Sequence, residues 1–131
     1  MSTSGLMVKL RELVDSYLRD VGGDVLGIII TNDEGLPIMY RTLTDLDVNA
    51  ISALYTLAAN QLKGLGLKTR LGDVEYMLVS YSGYVLYAER LYGDLTLIAV
   101  AGKDASIGVV MYVTGKYAER FNESLRSMKT G

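Results

Sequence analysis

Two pairs of neighbouring carboxylates are the residues best suited, by type and spacing, to do chemistry. Asp33 with Glu34, and Asp45 with Asp47, could share a proton in acid–base work or hold a divalent cation between their oxygens. Both pairs sit in short polar stretches where turns and helix caps want small acidic side chains, and the pattern favours that structural use. Ser80, Ser82 and Ser106 are the hydroxyl nucleophiles worth weighing, but no histidine stands ready to activate them, and nothing in the spacing selects a serine–lysine pair. Arg41, Arg70 and Arg90 fall near the ends of predicted strands and could clamp an anion or an acidic partner. A solvated surface position is the simpler account of each.

The chain contains no Cys, no His and no Trp. That removes disulfides, thiolate nucleophiles, Cys or His zinc sites and the usual general base near neutral pH. The glycines do not make a phosphate loop, which needs glycines after a strand and then Lys with Ser or Thr opening a helix. Gly22 and Gly23 precede a strand, Gly64 and Gly66 follow a helix, and Thr114-Gly115-Lys116 lies inside a helical pattern. Ten tyrosines could stack on bases, yet the net charge of −2 supplies no basic groove to go with them. Tyrosines that finish strand faces and contact surfaces are the better account. The expectation is a chain without cofactor, metal or catalytic residues, and without a nucleic-acid partner.

The elements that must position these residues follow from periodicity. Apolar residues at 6, 7, 10, 13, 14, 17 and 18 mark one face of a helix over 6–18, with Ser4 as its cap and Gly22-Gly23 as its end. The run VLGIIIT over 25–31 predicts a strand covered on both faces, and Gly27 within it predicts close approach by another element. After the turn at 32–35, a second strand over 36–41 contains Pro37, which predicts an edge blunted by proline. Asp47, or Asp45, caps a helix over 48–63 that ends at Gly64-Leu65-Gly66. Between Asp47 and Lys63 that helix has no charge, so one side is expected against its own sheet and another against a partner.

Three strands are predicted over 74–81, 84–91 and 95–101, joined by tight turns and therefore antiparallel. On the first of them, Val74, Tyr76, Leu78 and Ser80 share one face, and Glu75, Met77, Val79 and Tyr81 the other. A last helix over 106–128 turns Ile107, Val110, Met111, Thr114, Tyr117, Ala118, Phe121, Leu125 and Met128 inward. The order α-β-β-α-β-β-β-α predicts an α/β fold of the α+β type, with a central five-stranded antiparallel sheet between two helical layers. At 131 residues the chain is expected to be a single domain over 1–131. No signal peptide is read at the N-terminus, and no apolar run nears the roughly 20 residues of a bilayer span, so a cytoplasmic location without membrane insertion is the default.

These residues resemble the roadblock domain, the family of the dynein light chain of that name. The segment Val25-Leu26-Gly27-Ile28-Ile29-Ile30, followed by Asp33-Glu34-Gly35-Leu36-Pro37-Ile38, looks like the family's first hairpin. Ala105-Ser106-Ile107-Gly108 is similar to the Asn-Leu-Gly that opens the family's last helix, with Ser106 in place of Asn. Gly27, Asp33, Gly35, Pro37 and Gly108 are thus read as structural motif positions, and the core around Gly27 and Gly108 as close-packed. The resemblance implies dimers in which the edges of the 74–81 strand pair across a two-fold axis while the middle helices pack side by side. It places Ala50, Ala53, Leu54, Leu57, Gln61, Glu75, Met77 and Val79 at the dimer or partner interface. It also implies a function: a homodimeric interaction module that regulates or scaffolds a small Ras-like GTPase or a larger assembly, without acting as an enzyme. The alternative carried beside it is a small-molecule-binding sensor domain.

Overall fold

The structure, a computed structural model, describes residues 3–130. Helix α1 spans Thr3–Val21 and strand β1 Val25–Thr31; β2 follows at Pro37–Thr42 and helix α2 at Val48–Thr69. Strands β3 (Tyr76–Ser80), β4 (Tyr84–Leu91) and β5 (Leu95–Gly102) lead to helix α3, Ile107–Thr130. The strands form one antiparallel sheet in the order β2-β1-β5-β4-β3, so β2 and β3 are its edges. The predicted element order and fold class are those observed.

Helices α1 and α3 cover one face of the sheet. Their inward stripes meet Val25, Ile28, Ile30, Tyr87, Leu97 and Ala99 in the main core, where Tyr17, Tyr117 and Phe121 are the largest fully buried side chains. The side chain of Met128, assigned to this stripe from its spacing, lies outside the described residues. The opposite face carries a smaller core in which Ile51 and Tyr55 of α2 press on Ile29, Ala88, Ile98 and Val100. The apolar run of β1 has this cause: alternate residues serve two cores.

Two glycines permit the close approach of α2 and the loop before it. A Cβ at Gly27 would stand 2.7 Å from Leu46 Cδ1. At Gly35 the left-handed φ of 82° and a Cβ position 3.0 Å from the Ala53 backbone both exclude larger residues. Gly108 is different. It is exposed with open space around it, so the close packing expected there is absent.

Several boundaries differ from those expected. Ser4 lies within α1 rather than ahead of it, because the helix already starts at Thr3. Asp47 caps α2 as expected, its side chain accepting from the Ala50 N–H at 3.1 Å. The helix, however, runs through Gly64 and Gly66 to Thr69. Glycine costs a helix about 1 kcal/mol, which tertiary contacts can outweigh. Here Gly66 is where the chain folds back: a Cβ would collide with the Gly72 carbonyl, and the Gly66 carbonyl accepts from Leu71 and Gly72 N–H groups at 2.9 and 3.2 Å. Arg70 closes the helix in a left-handed conformation, φ 64°. Pro37 begins β2 opposite the bulge at Thr31, so it leaves the rest of that edge unblunted.

Between α1 and α3 the Tyr17 and Thr114 hydroxyls share a 2.7 Å hydrogen bond, and the Tyr17 and Tyr117 rings meet edge to face. Burial pushes the Tyr17 phenol up to about 12, against the opposing pull of the Thr114 bond. The folded chain therefore favours the neutral phenol. Its contribution is complete below the unfolded value near 10 and is lost as pH rises through about 12. Thermal unfolding should show the midpoint dropping across that window, and a Tyr17→Phe variant should drop less steeply there.

Candidate functional site

The carboxylates and arginines with chemical potential are spent on structure or dispersed. Asn32 Oδ1 accepts from the Glu34 and Leu36 N–H groups, both at 3.0 Å, which makes the Asp33-Glu34 stretch a tight turn. Arg41 pairs with Asp15 at 2.8 Å, Arg70 caps α2, and Arg90 is on β4. Among the described residues no three acidic side chains group as metal ligands. None of the described helices is long and apolar enough to cross a membrane.

The distinctive feature is a groove. Helix α2 lies over the β1–β2 side of its sheet face, reaches Ala88 of β4 through Ile51 and Tyr55, and stands apart from β3. Between them opens a cleft of about 360 Å³, walled by Ala50, Leu54 and Ala58 of α2 on one side and by Met77, Val79, Tyr81 and Tyr84 on the other, with Ile51, Leu86 and Val100 in its floor. The lining is almost wholly apolar. Its polar side-chain groups are the hydroxyls of Tyr55, Tyr81 and Tyr84. Burial pushes the Tyr55 phenol, also in the lining, up to about 12.

The groove ends at the free edge of the sheet. The Tyr81 N–H donates to the Tyr84 carbonyl at 2.8 Å, so 81 and 84 are a hydrogen-bonded pair of the antiparallel ladder. Such pairs alternate. Continuing the register, Val79–Leu86 and Met77–Ala88 bond inward, and Tyr76, Leu78 and Ser80 direct their backbone groups away from β4. Their side chains lie on the α3 side of the sheet, where the Tyr76 ring meets Tyr87 at 5.8 Å between centroids. On the other face Met77 and Val79 point into the groove. One five-residue strand thus presents an open backbone and half of an apolar cleft.

Of the interface residues expected from sequence, the structure brings Ala50, Leu54, Met77 and Val79 together in the groove. Ala53, Leu57, Gln61 and Glu75 are exposed outside its lining. Ala53 instead abuts the turn at Gly35. Tyr81 and Tyr84 line the groove without having been expected there. Tyr81 shares the parity of Met77 and Val79, which is signal enough. Tyr84 depends on hairpin pairing, which no periodicity within one strand reports.

No protein-family model and no curated protein matches the sequence. Solved structures do match. MglB of Myxococcus xanthus is 14% identical, with 91% of this chain and 96% of that chain covered at a TM-score of 0.82. A Roadblock/LC7 domain from Streptomyces avermitilis is 16% identical, covering 88% and 96% at 0.77. The gliding protein MglB of Thermus thermophilus is 13% identical, covering 93% and 92% at 0.83. The chain has the roadblock domain fold. That architecture is shared with MglB proteins at identities where only the fold carries over.

Proposed function

We propose that this chain is a non-catalytic homodimeric interaction module that regulates or scaffolds a small Ras-like GTPase. The observation that carries the reading is the uncovered apolar groove running out to the open β3 edge. An edge and a groove on one face suit a second copy related by a two-fold axis, since each copy offers the same strand and the same helix to the other. Pairing two β3 edges would continue the sheet and bring two α2 helices together over Leu54 and Ala58. The uncharged stretch of α2 ahead of Lys63 fits that role. The GTPase enters through the roadblock fold and the family resemblance, and the dimer would act by favouring one conformation of the GTPase's switch segments.

The test has two parts. Light scattering at micromolar concentration should give twice the mass of one chain, and a monomer would refute the dimer. Tagged protein should then recover a small GTPase from native lysate, enriched in one of two arms supplied with excess GTP analogue or GDP. Recovery solely of nucleotide-indifferent assemblies would replace the regulator reading with a scaffold.

A further inference from the structure

The second sheet edge, β2, is as open as the first but differs in charge. The Leu43 N–H donates to the Leu26 carbonyl at 2.8 Å, which marks 26–43 as a hydrogen-bonded pair. By the same alternation, Arg41 and Met39 bond inward to Ile28 and Ile30, Tyr40 and Thr42 direct their N–H and C=O groups outward, and the carbonyl of Ile38, in one peptide plane with the inward Met39 N–H, also points out beside the bulge. Pro37 precedes all three. The side chains of Ile38 and Tyr40 lie on the α2 face, opposite buried Met39, and are 37% and 55% exposed. Exposed Leu36 and Leu43 flank them.

Acidic side chains stand at both ends of this strand. Exposed Asp33 and Glu34 occupy the turn before it, and exposed Asp45 and Asp47 the loop after it. Of the nearby cations, Arg11 and Arg41 lie toward α1, with Arg41 held by Asp15, and Lys63 and Arg90 line a pocket with Asp33, which leaves Glu34, Asp45 and Asp47 as the acidic groups away from them. A second copy is a poor occupant of this edge. Antiparallel pairing of two β2 strands about a two-fold would set Asp45 and Asp47 of one against Asp33 and Glu34 of the other, at both ends.

We propose that β2 is a strand-addition site for an extended segment of a partner protein, one with alternating apolar side chains and basic residues at both ends. The free backbone groups at 38, 40 and 42 require an extended strand. Ile38 and Tyr40 require apolar side chains on its α2 face, and the two acidic ends require Lys or Arg beyond them. This surface is separate from the groove and does not depend on the dimer.

The probe is the capped decapeptide Lys-Lys-Thr-Val-Thr-Val-Thr-Val-Lys-Lys, compared with the same core carrying Glu at both ends. With the lysine peptide, the amides of Tyr40 and Thr42 should slow in hydrogen exchange, and the NMR shifts that move should centre on 36–43. The glutamate peptide should bind at least tenfold more weakly. Tyr40→Pro removes an outward N–H that no strand of this chain uses, so it should keep the fold and lose at least tenfold in affinity. Should that variant fail to fold, the double variant Asp33→Lys with Asp45→Lys decides, since Glu34 and Asp47 then bring each end to zero charge and the preference between the two peptides should disappear in that variant alone. The proposal is overturned by equal binding of both peptides to the unaltered chain, by no binding, or by shifts centred on β3 or α2. Protection of the same amides at high protein concentration without peptide would also overturn it, in favour of a second copy.

Discussion

Leu54→Asp should leave the chain folded and weaken dimerisation by on the order of 10²–10³-fold or more. Leu54 sits on the groove wall and is 64% exposed in the single chain, so a carboxylate there stays hydrated and costs the isolated fold little. In the proposed dimer the same atom position is covered by apolar surface from two α2 helices and β3. An unpaired charge buried in that setting costs about 3–5 kcal/mol, and each 1.4 kcal/mol is about tenfold in the dissociation constant. Leu57→Asp is the informative companion. Leu57 is 63% exposed but lies outside the groove lining, and its effect should be smaller. Sedimentation of both variants at one concentration series separates them. Equal loss would move the interface onto the outer face of α2. No loss in Leu54→Asp, with an unchanged melting curve, would remove the groove from the interface altogether.

The difference between those two leucines explains how much of the molecule is legible in its sequence. Residue periodicity reports which side chains share a face. It places Leu10, Val14 and Tyr17 in the core, pairs Met77 with Val79, and accounts for the two-sided run of β1. Local chemistry is equally plain at Asp47, whose cap depends on a residue three positions away. What periodicity leaves out is the neighbour that covers each face. Leu54 and Leu57 are equally apolar and equally exposed, and only the path of α2 across the sheet sets one against Met77 and turns the other outward.

The same gap accounts for the glycines of α2. Gly64 and Gly66 carry a local cost to helix formation, and that cost alone predicts a helix end. The fold-back of Leu71 and Gly72 onto the Gly66 carbonyl is a contact of the closed loop, invisible in a window of a few residues. Gly27 is legible because a glycine in an apolar strand has few other uses, whereas Gly108 opens a helix on the surface, where a motif match implies no packing. Pro37 is an edge residue, as proline in a strand requires, but which N–H groups of β2 face out depends on the ladder register set by Leu26 and Leu43.

Register is also what the strongest test of the dimer reads. The outward backbone positions of β3 are Tyr76, Leu78 and Ser80, and Leu78 is their centre. A two-fold that uses all three must set Leu78 against its own copy, with Tyr76 against Ser80 on either side. Leu78 would then be a hydrogen-bonded pair with its symmetry mate, Cα atoms about 5.5 Å apart and both side chains on the α3 face. That separation is inside the range of about 4.4–6.8 Å that a disulfide spans. The chain has no cysteine of its own, so Leu78→Cys introduces the only thiol. Under mild oxidation it should cross-link nearly completely into a covalent dimer, at a rate independent of dilution above the dissociation constant. Ser80→Cys should not, because the two copies of residue 80 would lie four residues apart along the paired strands, about 14 Å. Mixing Ser80→Cys with Tyr76→Cys should restore the cross-link between unlike chains. Rapid closure in Ser80→Cys alone, with Leu78→Cys left reduced, would shift the two-fold along β3. Slow, concentration-driven cross-linking at every position would show that the β3 edges meet only by collision, and the groove beside them would then need a different partner.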